Sequence, residues 1–395
     1  MKFKHLKYLS YFLFFTGLYF GGRYAVNALA LLVIVSVAGM IKEGVRPWRE
    51  FPKLLLPPII FYLWHIVSAF YSSNMPEALF DLEVKFSLLL LPLIFGFQKL
   101  KEPINELIQV LRIYLASTLF SIILLAAINV PRIMEAGRML YYNDYSFLLH
   151  PSYLSMYLSF ALLAGVYLLF ERKGNKWCII ASMGLSLIMI GIAESKAGQL
   201  STLALVVFIL YRLIPLHYRK WTAILSIVLV LLFAYLAKDS KRFSFFIKAM
   251  EHYSEIKEHP ETIKESTALR VLSWSASWET IKQNPVAGVG CGDIKDELSV
   301  YYEANNYTKP LEMHMNAHNQ YLETAVGQGL IGFALLVLML LIPLFYIQNS
   351  SILIQGFSLI VGLNLLVESM FNTQAGVIFI AFFYAYLISR LSRSK

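Results

Sequence analysis

An all-α integral membrane protein, with about twelve transmembrane helices and a helical loop domain on one face, follows from three features of this chain. Of its 395 residues 58% are hydrophobic and only 15% charged, with Phe 28, Tyr 24 and Trp 6. A soluble domain has no use for that apolar and aromatic excess. Apolar runs of nearly lipid-crossing length recur from end to end, and the alternation of a β-barrel strand is absent. Helices satisfy their own backbone groups where no water is available, so long unbroken runs point to helical spans.

The runs fall at roughly 7–21, 24–41, 54–71, 86–98, 106–129, 151–170, 177–193, 199–215, 221–237, 322–347, 352–369 and 375–391, the fourth being the weakest. Each approaches the ~20 residues that a helix needs to cross ~30 Å of hydrocarbon. The first follows a basic start but lacks a small-residue cleavage site, so it reads as a retained span. Basic residues set the orientation. Lys2, Lys4, Lys7, Lys42, Arg46, Arg49, Lys53, Lys99, Lys101, Arg172, Lys173, Lys176, Arg212, Arg219, Lys220, Arg390, Arg393 and Lys395 fall on one side. Short segments on the other side hold only Arg23, Lys85, Arg132, Arg138 and Lys196. By the positive-inside rule both termini then face the cytoplasm. The formal charge of +9 thereby reflects topology rather than nucleic-acid binding. The two cysteines, Cys178 in a span and Cys291 in the outer loop, cannot form a disulfide on this topology.

Three segments result: spans one to nine over 1–237, an outer loop domain over 238–320, and the last three spans over 321–395. The loop is too long for a bare connection and carries helix-length patterns at roughly 244–258 and 267–283, the second with Leu269, Leu272, Trp274, Trp278 and Ile281. Pro285 stops that helix. Gly288, Gly290 and Gly292 in NPVAGVGCGD then read as a structural turn in preference to a phosphate cradle, since they match neither GxGxxG nor a P-loop.

His318 is the best general-base candidate, because a neutral imidazole titrates near physiological pH and can accept a hydroxyl proton at the membrane surface. Lys85, Arg138, Lys196 and Arg270 fall on the same outer side. Read singly, Lys85 pairs with Asp81, and Lys196 pairs with Glu194 or snorkels. Taken together with a base, these cations suit a strongly anionic group such as a diphosphate. His5, His65 and His217 fall towards the cytoplasmic side, and His252 and His259 fall in charged helix surface; these five read as solvated or packing residues. His150, before Pro151 at the start of a span, is placed to line the same cavity. His314 and His318 would share a face if helical and could then bind zinc. The zincin pattern requires Glu directly after the first His, where this chain has Met315, and no aspartate cluster offers another site. Chemistry without metal or cofactor is expected.

The run His318-Asn319, nine residues, Gly329-x-x-Gly332 resembles the signature of bacterial O-antigen ligases, a group related to O-antigen polymerases and protein O-oligosaccharyltransferases. The large loop before the tenth span, the Arg270-to-GVGCG segment and the SKAG turn at Ser195 to Gly198 are similar as well, the likeness covering roughly 190–335. One departure is Lys196, where the family usually carries arginine; charge is kept but the bidentate fork is lost. The resemblance implies a GT-C-like glycosyltransferase of the bacterial inner membrane. It would move a glycan from undecaprenyl diphosphate to a sugar hydroxyl of lipid A-core, with inversion and without metal, on the periplasmic face. It also implies His318 as base, Arg270, Lys196 and Lys85 on the diphosphate, Arg138, His150, His314 and Asn319 at the cavity, and Gly329 and Gly332 as structural. Asn319 would orient the imidazole or cap the next helix. A polymerase that extends the lipid-linked repeat is the alternative within the class. A transporter or flippase is the alternative outside it, although the charges sit at span edges and no internal repeat is evident.

Overall fold

The computed structural model describes residues 3–218, 224, 227–228, 266–346 and 351–392. All but residues 224 and 227–228 of the expected span at 221–237, together with the expected loop helix at 244–258, His252 and His259, lie outside the described residues. Among those residues the fold is entirely helical, with one isolated bridge between Val45 and Gln98.

Ten helices lead up to the loop region: α1 (Phe3–Phe20), α2 (Gly22–Glu43), α3 (Leu56–Phe70), α4 (Met75–Lys85), α5 (Ser87–Phe97), α6 (Pro103–Ala136), the short α7 (Tyr142–Tyr145), α8 (Pro151–Phe170), α9 (Lys176–Ala193) and α10 (Lys196–Leu213). The loop region contributes α11 (Ser266–Gln283), α12 (Ile294–Ala304) and the short α13 (Thr308–Glu312). The chain then closes with α14 (Gln320–Tyr346), α15 (Ile352–Val367) and α16 (Gln374–Leu391). Eight helical stretches among the described residues, one of them Lys53–Phe70 formed by α3 with the turn before it, are long and apolar enough to cross a membrane, which makes this a multi-pass membrane protein. At 11 residues α5 falls short of a span, with Pro92 inside it, and α15 has 16 residues. At 34 residues α6 is about 51 Å long at ~1.5 Å per residue, so it projects well beyond a ~30 Å core.

Two helices, α8 and α16, form the centre of the bundle and are buried almost all round. Their aromatic residues pack with those of α1 and α6: Phe383 lies 4.1 Å from Phe160, 5.0 Å from Tyr114 and 5.7 Å from Phe15, ring centre to ring centre. One end of the bundle is tied by Arg390, fully buried, which donates to Gln98 Oε1 at 2.6 Å and meets Glu106 at 3.3 Å while Lys7 meets the same carboxylate at 2.5 Å. The opposite end carries the loop helices.

One helix carries a break that its hydropathy conceals. Within α14, Gly329 adopts φ 65° and ψ −166°, a conformation open to glycine and almost nothing else. Breaking the helix frees the carbonyls of Val326, Gly327 and Gln328. They accept from Val289 N at 2.9 Å, Gly290 N at 2.9 Å and Trp64 Nε1 at 3.2 Å. Past the break, Leu330 N donates to Pro285 O at 2.8 Å. The NPVAGVGCGD segment is thus the structural turn that its sequence suggests, seated in the gap of α14. Its far end docks on the α3–α4 turn, where Asp293 accepts from Ser73 N and Asn74 N, both at 2.7 Å.

His65 requires a correction. It sits towards the loop end of the bundle, with Nε2 4.0 Å from Asp81 and its carbonyl under Cys291 Sγ at 3.8 Å. The reason is length: nine residues into α3, at ~1.5 Å each, carry it ~14 Å up the helix. Both cysteines are free, as their separate placement requires.

Candidate functional site

The segment between α13 and α14 is extended and irregular, so His314 and His318 do not share a helix face. Both have left-handed φ, 46° and 45°, which turns their side chains apart from any helical register. His314 is exposed. His318 is half-buried, and its backbone N–H donates to Asn316 Oδ1 at 2.9 Å. Asn319 caps α14, its Oδ1 accepting from Tyr321 N at 2.9 Å and Leu322 N at 3.2 Å. Capping, not orientation of the ring, is what this asparagine does.

The ring of His318 is held from another helix. Its Nδ1 lies 3.0 Å from Glu368 Oε1, and Arg270 Nη2 on α11 lies 3.5 Å from Oε2 of the same carboxylate. Glu368 directly follows α15 and is buried. Burial alone would push its carboxyl up, but the hydrogen bond and charge of His318, with Arg270 and His150 beyond, bring it below the ordinary carboxylate value. An ionised carboxylate only accepts, so the shared proton sits on Nδ1 of His318. The basic nitrogen of the neutral ring is then Nε2, directed away from Glu368.

A second buried carboxylate fixes this arrangement. Glu323 on α14 accepts from Ala317 N at 2.8 Å, Asn372 Nδ2 at 2.7 Å and Ser369 Oγ at 3.4 Å. Gln320 Oε1 accepts from Phe371 N at 2.6 Å. Residues flanking His318 are thereby tied to the 368–373 turn that carries its partner. Neither Glu368 nor Glu323 stands out in the sequence reading. The one available signal for Glu368 is an acid directly after an apolar run, where an ionisable group at membrane depth is costly without a purpose.

The cations divide. Arg270 reaches the histidine's partner. Lys85 is buried on α4 and pairs with Asp81, the local pairing its spacing suggests. Lys196 is exposed at the start of α10 and makes no ion pair among the described residues, with Glu194 or otherwise. The turn that carries it docks on the start of α8, with Ser195 Oγ 3.4 Å from Ser152 Oγ, two residues from His150. His150 caps α8, its Nδ1 accepting from Ser152 N at 3.3 Å. Arg138 meets Asp144 at 3.1 Å in solvent. Gly332 lies under the Gln328 side chain in α14, 2.7 Å from its Oε1 to the position of a Cβ. Among the described residues no group of three or more His, Cys, Asp or Glu is placed to hold a metal.

The site is thus a half-buried imidazole with one nitrogen fixed by a carboxylate, a guanidinium beside it, and a frame of apolar helices around them. Comparison with known proteins finds a family likeness over part of the chain. Residues 180–337 match the model of the family described as O-antigen ligase, so this stretch, with Arg270, His318 and the glycine signature in it, is an O-antigen ligase family region. An uncharacterized protein of Haemophilus influenzae is 32% identical over 101 residues, 25% of each chain. The aligned stretch therefore spans about a quarter of that relative's length.

Proposed function

We propose that this protein transfers a glycan from undecaprenyl diphosphate to a sugar hydroxyl of lipid A-core on the periplasmic face of the inner membrane, with both termini in the cytoplasm. The observation that carries the reading is the contact of His318 and Arg270 on one buried carboxylate. An acceptor hydroxyl placed at His318 Nε2 gives its proton to the ring as its oxygen attacks the anomeric carbon. The bond from that carbon to the diphosphate oxygen breaks, and the diphosphate leaves with the electron pair. Attack from the face opposite the leaving group inverts the anomeric centre. Glu368 balances the imidazolium that forms, as a carboxylate behind a catalytic histidine does in other acid–base sites. Arg270, partly exposed, offers its remaining N–H groups to the departing diphosphate. Lys196 lies at the rim and would meet the diphosphate as a point charge. Lys85, already paired, contributes mainly to the frame under Glu323. A chain folding as twelve spans with residues 238–320 as the outer domain suits this placement.

Purified protein incubated with the lipid-linked glycan and lipid A-core, without nucleotide, tests the proposal directly. Labelled lipid A-core bearing the glycan supports it. Elongated lipid-linked chains instead would identify a polymerase, and movement of the lipid across the bilayer without a new bond would identify a transporter. In this assay Arg270→Ala is expected to cost about 10²-fold in turnover, the scale seen when one preorganised charge-stabilising donor is removed.

The lowered carboxyl of Glu368 has a pH consequence. A depressed folded-state value stabilises the protein above the unfolded carboxylate range, and that stabilisation disappears as pH falls through the folded value. Wild type should therefore be more thermostable than Glu368→Gln at pH 5 and above, the margin shrinking as pH falls below about 4.3. Thermal unfolding in detergent over that range measures the margin; a gap that closes already between pH 7 and pH 6 would mean that the carboxylate is not held ionised.

A further inference from the structure

We infer that the groove between α2, α5 and α16 seats a phospholipid with a primary-amine headgroup, of the phosphatidylethanolamine kind, with Glu83 receiving the ammonium and Arg23 the phosphate. The inference is independent of the reaction, since it concerns a lipid of the surrounding bilayer at a place apart from His318, Arg270 and Glu368. The groove has a volume of about 380 Å³. Val26, Leu29 and Val33 of α2, Leu90 of α5 and Ile378 of α16 make its walls apolar, and Glu83, Ser87 and Gln374 complete its lining.

The polar members gather at one end. Ser87 and Gln374 are the first residues of α5 and α16, and Glu83 lies near the end of α4, just before α5 begins. Leu90 and Ile378 stand three and four residues further into the same two helices, ~4.5–6 Å deeper. A polar rim above an apolar trough repeats the order of parts in a phospholipid, headgroup over acyl chain. From Val26 to Ile34 the α2 wall runs ~12 Å, within one leaflet of a ~30 Å core.

Charge at the rim selects the headgroup. Glu83 is exposed and makes no ion pair among the described residues. The nearby lysines are taken, Lys85 by Asp81 and Lys295 by Glu77. An unpaired carboxylate in the wall of a lipid-facing groove is costly unless a cation meets it, and it repels an anionic headgroup. Arg23 brings the opposite sign on α2. At ~100° per residue, Ala30 and Ile34, seven and eleven positions on, return to within ~20° of its direction, and both line the groove. Arg23 therefore heads the α2 wall, one turn beyond Val26, exposed and also without an ion pair among the described residues. A carboxylate and a guanidinium that do not meet each other match a zwitterion whose ammonium and phosphate are two carbons apart. The ammonium has three N–H donors for the carboxylate, and the guanidinium binds phosphate oxygens. Neither of two other apolar grooves offers both signs: the one between α1, α2 and α6 has no charged side chain in its lining, and the one between α6 and α9 has Arg112 without a carboxylate. The seat also adjoins the frame of the site, because Gln374 directly follows the 368–373 turn that carries Glu368.

The test uses the full chain in detergent micelles, with phosphatidylethanolamine and phosphatidylglycerol added in equal, limiting amounts. A benzophenone amino acid replaces Ile34, exposed in the groove, or Ile123, exposed in the α6–α9 groove, and mass spectrometry identifies the lipid joined on irradiation. Position 34 should capture the amine lipid about fivefold more than the glycerol lipid, the upper scale of an exposed ion pair, and position 123 should show no preference. Glu83→Gln keeps the size of an exposed side chain and removes its charge, so the protein should melt as wild type does while the preference at 34 disappears. Arg23→Ala should weaken capture of both lipids alike. Equal capture of the two lipids at 34 by wild type, or a preference that survives Glu83→Gln, would overturn the inference. Displacement of the amine lipid by an equal amount of undecaprenyl diphosphate would give the groove to the carrier and overturn it as well.

Discussion

His318→Ala is expected to lower glycan transfer about 10³-fold, within the 10²- to 10⁴-fold that a positioned general base supplies, while the protein inserts and remains monodisperse. The structure separates these two effects. His318 is half-buried, and its backbone is held by Asn316 from one side and, one residue earlier, by Glu323 through Ala317 N. Removing the imidazole therefore leaves the segment tied down. It does take from Glu368 its 3.0 Å hydrogen bond and leave Arg270 at 3.5 Å. A modest loss of stability should accompany the loss of activity, because a buried carboxylate that loses a hydrogen bond incurs a desolvation cost. The measurement is turnover with saturating lipid-linked glycan, beside a melting curve of the same preparation. Turnover within threefold of wild type would remove His318 from the chemistry and leave it a partner of Glu368 only.

His318 is legible in the sequence because a histidine at the edge of an apolar run, followed at fixed spacing by two glycines, is rare. Its partner is not, for a physical reason. Glu368 lies 50 positions further along and reaches the ring only because the 368–373 turn packs on the start of α14 through Gln320 and Glu323. Nothing local to Glu368 encodes that contact. The helices are easier: each described apolar run returns as a helix, since hydropathy reports the burial that dictates it. Which of them cross a membrane is less direct, as α5 and α15 show by being short. The cations show the limit of judging charge by side alone. Arg270, Lys85 and Lys196 look equivalent in sequence, yet one reaches the site, one is consumed by Asp81 a turn earlier, and one faces solvent.

Gly329→Ala should be the most damaging single substitution for folding, although it adds one methyl group to a helix. Two independent obstacles meet there. The backbone at φ 65° and ψ −166° lies where an L side chain costs about 1–3 kcal/mol. A Cβ would also press into the Val286 carbonyl and stand 2.6 Å from Ala287 N, and backbone atoms cannot swing aside as a side chain can. Relief by straightening α14 into a continuous helix would not restore the fold. The carbonyls of Val326, Gly327 and Gln328 would return to their own helix, so Val289 N, Gly290 N and Trp64 Nε1 would lose their acceptors, and the turn that follows α11 would be expelled. Arg270 on α11 would move with it, away from Glu368. The expected result is a poorly yielding protein whose unfolding midpoint falls by about 4 °C or more, with transfer lost in whatever folds; at no more than about 2 °C for each kcal/mol in a chain this large, that is a drop of at least about 2 kcal/mol. Gly332→Ala is the comparison, since it meets one obstacle instead of two: its φ is not left-handed, and the atoms nearest its added methyl, Gln328 Cβ and, at 2.7 Å, Oε1, belong to a side chain and not to backbone. It should cost far less, and equal damage from both would mean that the glycines serve a common close approach rather than a break at Gly329.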